Sequence, residues 1–262
     1  MSARTIPAGS TDQPRAAQPQ YVYGVMRATE APEKGAAGIG GADVRRIVLD
    51  DLAALTSPLE SAAVRARRRD LMAHSDVLTA GLERGTVLPA QFGTVFENAE
   101  AVTSEFLEPR REELKRLLEE LDGKVELRVK AFYVEQAILA EIIRESPRIA
   151  RLREGTRSGI DAATYGARIE LGELVAAELR VRGQRDAAAI LDRVRPIADA
   201  VELNDEPVEH EVLRASFLVD RKRLGAFDET MDDIARREEG RIRFKYLGPL
   251  PPHSFVSLGG QR

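Results

Sequence analysis

Apolar positions along this chain follow two periods, and the switches between them mark out its elements. Tyr21 to Met26, YVYGVM, places two tyrosines and two valines before a polar stretch and predicts a strand. A loop containing Gly35, Gly38, Gly40 and Gly41 follows, then a second predicted strand from Val44 to Leu49. Ser57, Pro58 and Glu60 stand where an N-cap, a first-turn proline and a capping-box acid belong, so a helix is predicted from there to about Glu83. Its apolar stripe is Val64, Leu71, Leu78 and Leu82, and His74 falls on the same stripe. LPAQFGTVF predicts a strand from about Val87 to Phe96, entered through Pro89, with Gly93 allowing a bulge. Asn98 can cap a further helix, which Pro109 must kink or split. Leu114, Leu117, Leu118 and Leu121 form its buried face, and Gly123 is a fitting stop.

From Lys124 the pattern sharpens. Val125, Leu127 and Val129 alternate along a predicted strand from Lys124 to Phe132. Tyr133 to about Arg182 has helical period, broken near Ser146-Pro147 and between Gly155 and Gly159. A short strand from Asp199 to Leu203, a turn from Asn204 to Pro207 and an apolar strand from Val212 to Val219 come next. Asp220 can cap a helix whose Leu224, Phe227, Met231 and Ile234 share one face, and Gly240 ends it. Ile242, Phe244 and Tyr246 alternate along a last strand. The order β-α-β-β-α-β is the split βαβ plan of ferredoxin-like folds, here with a long, broken first helix. The expected fold class is therefore α+β in two domains: a disordered tail over 1–20, an N-terminal α+β domain over 21–122 and a ferredoxin-like α+β domain over 123–262. No internal repeat suggests a solenoid.

Composition then works by exclusion. The chain has 262 residues, 43% of them hydrophobic and 31% charged, enough for packed cores and too apolar for wholesale disorder. Acids outnumber bases 43 to 39, so the basic excess of a general nucleic-acid binder is missing. There is no Cys, which removes disulfides, thiolate metal sites and cysteine nucleophiles, and no Trp, which leaves an aliphatic core. No apolar run near the start fits a secretory signal, and none reaches the length of a membrane span, so a cytoplasmic protein without a membrane partner is expected.

Candidate chemistry is sparse. His74, His210 and His253 lie far apart and lack metal-ligand spacing; His74 reads as a hydrogen-bonded, partly buried histidine and His210 as exposed. Gly35 and Gly40 have the spacing of a phosphate-cradling loop, but Gly41 and Ala42 replace the Lys and hydroxyl that loop needs. There is no GxSxG elbow. Arg65 to Arg69, RARRR, is the one basic cluster; on a helix its side chains splay by about 100° each and make no single patch. RNA-recognition modules share the β-α-β-β-α-β order, but LRASFLVDR offers one aromatic, Phe217, and no glycine. No catalytic, cofactor-binding or metal residues are assigned. Gly248 to Val256, GPLPPHSFV, carries Pro249, Pro251 and Pro252 and is expected to be extended, near polyproline II.

The strings together resemble the gas vesicle protein L/F family. They are YVYGV at Tyr21, GIGG leading to DDLAALTSP at Asp50, and the predicted helix with His74, Val77 and Leu78. VLPAQFGTVF, VELRVKAF, RASFLVDR with its following Phe227, and GPLPPHSFV complete the series. Three positions depart from the family pattern: Leu250 stands for an aromatic, His253 for a tyrosine and Gln91 for an arginine. The resemblance implies two α+β domains, the second a modified ferredoxin-like fold. It implies a role in assembly or structural support of the gas vesicle, with the hydrophobic shell protein and other accessory gas vesicle proteins as partners. It implies no enzyme activity and no cofactor, and it leaves the oligomeric state open. The alternatives are an enzyme on a ferredoxin-like scaffold and, behind it, an RNA-binding module.

Overall fold

The structure is a computed structural model that describes residues 18–32, 36–60, 65–157, 162–203 and 210–258, without the side chains of 162–164. The expectations for the tail before residue 18, Gly35, Val64, Gly159 and the turn at 204–207 lie outside these residues. The chain is mixed α/β with antiparallel sheets, and it divides into two compact units: Met1–Glu120 with Ser257–Arg262, and Leu121–Val256.

In the first unit β1 (Gln20–Arg27), β2 (Arg45–Leu49) and β3 (Leu52–Pro58) form a sheet in the order β2-β3-β1. Two short strands, β4 (Leu88–Pro89) and β5 (Val95–Phe96), add to the far side of β1. Helix α1 (Arg68–Leu82) and the later α3 (Arg111–Glu120) both pack on β1, which buries every residue from Tyr21 to Met26. Between β5 and α3 lies α2 (Ala99–Ala101), which continues as a π-helical stretch from Val102 to Leu107. Asn98 caps α2 as the sequence predicts, its Oδ1 accepting the Ala101 N–H at 2.8 Å, and Pro109 falls in the gap before α3.

In the second unit β6 (Lys124–Tyr133) is followed by α4 (Glu135–Glu145), α5 (Pro147–Gly155) and the long α6 (Ala162–Val194). Then come β7 (Ala200–Leu203), β8 (Glu211–Asp220), α7 (Leu224–Arg237) and β9 (Ile242–Leu250). The sheet runs β7-β8-β6-β9 with all neighbours antiparallel. Leu127, Val129, Ala131, Ala215, Phe217 and Ile242 on one face pack with Ile138, Ile142, Phe227, Met231 and Ile234 from the helices. Asp220 caps the turn into α7 through the Lys222 N–H at 2.8 Å.

Four local expectations are corrected. Ser57 and Pro58 do not start a helix: they end β3, and α1 begins only at Arg68. Residues 52–57 are all buried between β2 and β1, so two-sided burial in the sheet outweighs the local capping signal. Leu71, placed on the apolar stripe, is 45% exposed. The RARRR cluster straddles the helix start, with Arg65 to Arg67 ahead of α1. LPAQFGTVF is two short strands flanking a turn, in which the Thr94 N–H donates to the Gln91 carbonyl at 3.1 Å.

Candidate functional site

His74 sits in an aromatic enclosure in the first unit. It is 6% exposed, and its Nδ1 lies 2.9 Å from the Tyr21 hydroxyl, which also accepts the Gly93 N–H at 3.1 Å. The Phe92 ring packs edge-on to the imidazole at 5.6 Å. Beside it the Tyr23 hydroxyl meets Ser57 Oγ at 2.7 Å and accepts the Ile39 N–H at 2.8 Å. Burial raises both phenols above their usual range, Tyr21 strongly, against the hydrogen bonds they receive. The LPAQFGTVF turn thus closes over His74, its Phe92 and Gly93 supplying a wall and a donor. Gln91 in the same turn is exposed.

The closing string is clamped to the outer face of the second sheet by Glu126. This carboxylate is fully buried. Its oxygens accept the Ser254 N–H at 2.7 Å, the Ser254 hydroxyl at 2.9 Å and the Arg128 Nε–H at 2.5 Å. Ser254 Oγ also lies 2.9 Å from Ser216 Oγ, which gives this buried β8 hydroxyl a structural partner. The string is not extended throughout: β9 ends at Leu250 and His253–Phe255 form a 3-10 turn. Burial, then the neighbouring Arg128, holds the His253 imidazole below its usual range against the pull of Glu126. His210 is half-buried with φ 63°, not exposed as expected.

An ionic cluster braces the helices of the second unit. Arg182 reaches Glu141 at 2.5 Å and Glu145 at 2.8 Å. Arg241 reaches Glu141 at 2.8 Å, Asp186 at 2.5 Å and Glu238 at 2.9 Å. The Tyr133 hydroxyl donates to Asp186 at 2.6 Å. The Arg241 guanidinium holds Glu141 below the usual carboxylate range. Burial works against the charged form of Asp186, yet the Tyr133 hydroxyl and Arg241 outweigh it and lower its pKa. A cleft of 180 Å³ opens beside this cluster, lined by Asp186, Ile190, Arg193, Ile234 and Arg237; small-molecule pockets are about 300–1,000 Å³.

The outer face of the second sheet carries cations in register. Lys130 on β6 is directly opposite Arg214 on β8 and Lys245 on β9, and Phe132 is opposite Arg243. Glu211 neutralises Arg214 through two 2.9 Å bonds, and Glu126 pairs with Arg128. Lys130, Arg243 and Lys245 make no ion pair among the described residues. The Lys245 ammonium lies 5.4 Å over the Phe132 ring. Strand β9 is the sheet edge.

Sequence reading singles out His74 and the closing string and misses Glu126, Arg241 and the cationic row. A lone acid within an alternating strand gives no signal in sequence. The network partners Glu141, Asp186 and Arg241 are joined only by tertiary packing. Among the described residues no group of three or more His, Asp and Glu side chains could hold a metal ion, and no helix is long and apolar enough to cross a membrane.

Fold and surfaces thus define a mixed α/β protein of two antiparallel sheets, whose polar clusters brace its packing and whose second sheet carries a charged face and an edge strand, β9. The family model of gas vesicle synthesis protein GvpL/GvpF matches residues 19–257. Gas vesicle protein F of a Streptomyces strain is 36% identical over 240 residues, covering 90% of this chain and 98% of the relative. Gas vesicle protein L of the same strain is 32% identical over 256 residues, covering 91% and 93%. The crystal structure of GvpF from Anabaena superposes with a TM-score of 0.78 at 25% identity, covering 92% of this chain and 98% of that one. The chain belongs to the GvpL/GvpF family, the resemblance its motifs carried, and its role is that of a gas vesicle accessory protein. These relatives are named as gas vesicle proteins and not as enzymes.

Proposed function

We propose that this protein acts without catalysis in the assembly or structural support of the gas vesicle, in the cytoplasm, by binding the hydrophobic shell protein and other accessory gas vesicle proteins. The observation that carries the reading is the family match across almost the whole chain. It is supported by the edge strands β2 and β9, which take no further strand among the described residues and so offer backbone for strand addition, and by exposed Val48 and Leu247 upon them. A hydrophobic shell protein needs charged, soluble partners before incorporation, and a 31% charged chain suits that work. His74, the residue on which a catalytic reading would depend, faces Tyr21 and Phe92 in a closed site. We further take the two compact units as the two domains, meeting near residue 122. The second reads as a modified ferredoxin-like fold, a reading supported by the β7-β8-β6-β9 order and the helix broken into α4, α5 and α6. No nucleic-acid or membrane partner belongs to this reading.

Deleting the coding region in the native host and scoring vesicles by electron microscopy tests the role. Missing or malformed vesicles are expected, and normal vesicles in a strain without a redundant paralogue refute it. A pull-down of the shell protein by the purified chain then tests direct binding.

A further inference from the structure

We propose that the β9 edge of the second sheet receives an extended acidic segment of a protein partner, added as a strand with its carboxylates against Lys130, Arg243 and Lys245. This deepens the accessory reading and rests on it, for the segment would belong to a gas vesicle protein.

The charge pattern argues for an anionic occupant. Lys130 faces Lys245 directly across β6 and β9, and like charges opposite one another destabilise a sheet. The neighbouring cations Arg128 and Arg214 have carboxylates within the fold, Glu126 and Glu211. Lys130, Arg243 and Lys245 have none among the described residues. An excess of unpaired cations on one face of a chain with a formal charge of −4 is a local feature that the overall balance does not explain.

Position argues for strand addition. Among the described residues strand β9 pairs only with β6, and no strand of the second unit adds to its other side. Basic side chains on an edge deter pairing with a second copy of the same edge, since that would set Arg243 and Lys245 against their own kind. They favour an acidic strand by the same physics. Because successive residues of an added strand alternate between faces, the segment that fits has Asp or Glu at every second position and apolar residues between them. The half-exposed Tyr246 and Leu247 supply apolar surface at this edge.

The aromatic rings favour protein over RNA. Base recognition by a sheet uses open rings for stacking. Here Phe132 lies under the Lys245 ammonium. Tyr246 stacks on Phe227 at 5.9 Å and donates its hydroxyl to Asp228 at 2.6 Å.

The test is fluorescence anisotropy on the full chain with three labelled probes: a short peptide of alternating Glu and Val, the same peptide with Lys for Glu, and oligouridine. Arg243→Gln/Lys245→Gln and Arg243→Glu/Lys245→Glu are measured beside the unaltered protein, with circular dichroism to confirm that each is folded. The Glu peptide is expected to bind, to weaken with salt, and to lose about tenfold in affinity in the Gln variant and more in the Glu variant. The Lys peptide is expected not to bind. A Glu peptide that ignores the unaltered protein, or binds all three proteins equally, overturns the proposal, as does tighter binding of oligouridine. A shell-protein pull-down runs in parallel. If the unaltered chain captures the shell protein but not the peptide, only the present inference fails; if it captures neither, the shell-binding part of the accessory reading fails as well.

Discussion

The Tyr21 hydroxyl is a small group with a large structural share. Fully buried itself, it bonds His74 and accepts the Gly93 N–H within the first unit. Tyr21→Phe removes the hydroxyl's bonds to His74 and to the Gly93 N–H, at an expected cost of about 1 kcal/mol, read as a lower urea midpoint. An unchanged midpoint would refute the bracing role given to this cluster. Gly248 is constrained differently. Its φ is 151°, and a Cβ there would lie 2.6 Å from Leu127 Cδ2 and 3.0 Å from the Glu126 carbonyl. Gly248→Ala is expected to cost about 2 kcal/mol or more, because strain and overlap act together, and thermal unfolding measures it. At this scale the sequence was partly legible. Asn98 and Asp220 cap where their side chains predict, since a cap is a contact between near neighbours. Glu126 was not legible, because its partner Ser254 lies 128 positions away.

At the scale of elements, the ionic cluster holds α4, α6 and the start of β9 together through Arg182 and Arg241. It makes the second unit acid-sensitive in a definite direction. Glu141 and Asp186 are held below their usual values of 4.5 and 3.8. Groups with a depressed folded-state pKa contribute stability that is complete above the unfolded value and lost as pH falls through the folded one. Stability is therefore expected to fall from about pH 5 downward. Arg241→Met, by removing the main lowering cause at Glu141 and the one next to the Tyr133 hydroxyl at Asp186, should lower stability at neutral pH by about 2 kcal/mol and flatten the fall between about pH 5 and 3. Urea titrations at several pH values check this; parallel curves for both proteins would refute it. The elements themselves divide by how local their cause is. The breaks at Ser146-Pro147 and Pro109 follow from a ring that cannot continue a helix. Ser57, Pro58 and Glu60 imitate a helix cap where β3 ends, and only the pairing of β3 with β1 and β2 decides otherwise.

At the scale of the whole molecule, residues 257 and 258 return to the unit built from β1 to α3. Leu258 is 2% exposed and bridges Ala90 in parallel, so the last described residues belong with the first unit. Leu258→Ala is expected to cost about 2–3 kcal/mol by leaving a cavity. Hydrogen exchange should show the lost protection in β1 and β4 and not in the second unit; the reverse distribution would refute the assignment.

What the sequence determined by itself was whatever depends on neighbours a few positions apart. Those features are the periods of its strands and helices, the caps, the proline breaks, the alternation that names β6, and the motif series that marks the family. What only the tertiary structure decided depends on residues far apart in the chain. It buried His74 behind Tyr21 and Phe92 and folded the closing string onto Glu126. It also aligned Lys130, Lys245 and Arg243 into one cationic face. The physical reason is that burial and charge pairing act through space, and strand register fixes which distant side chains share a face.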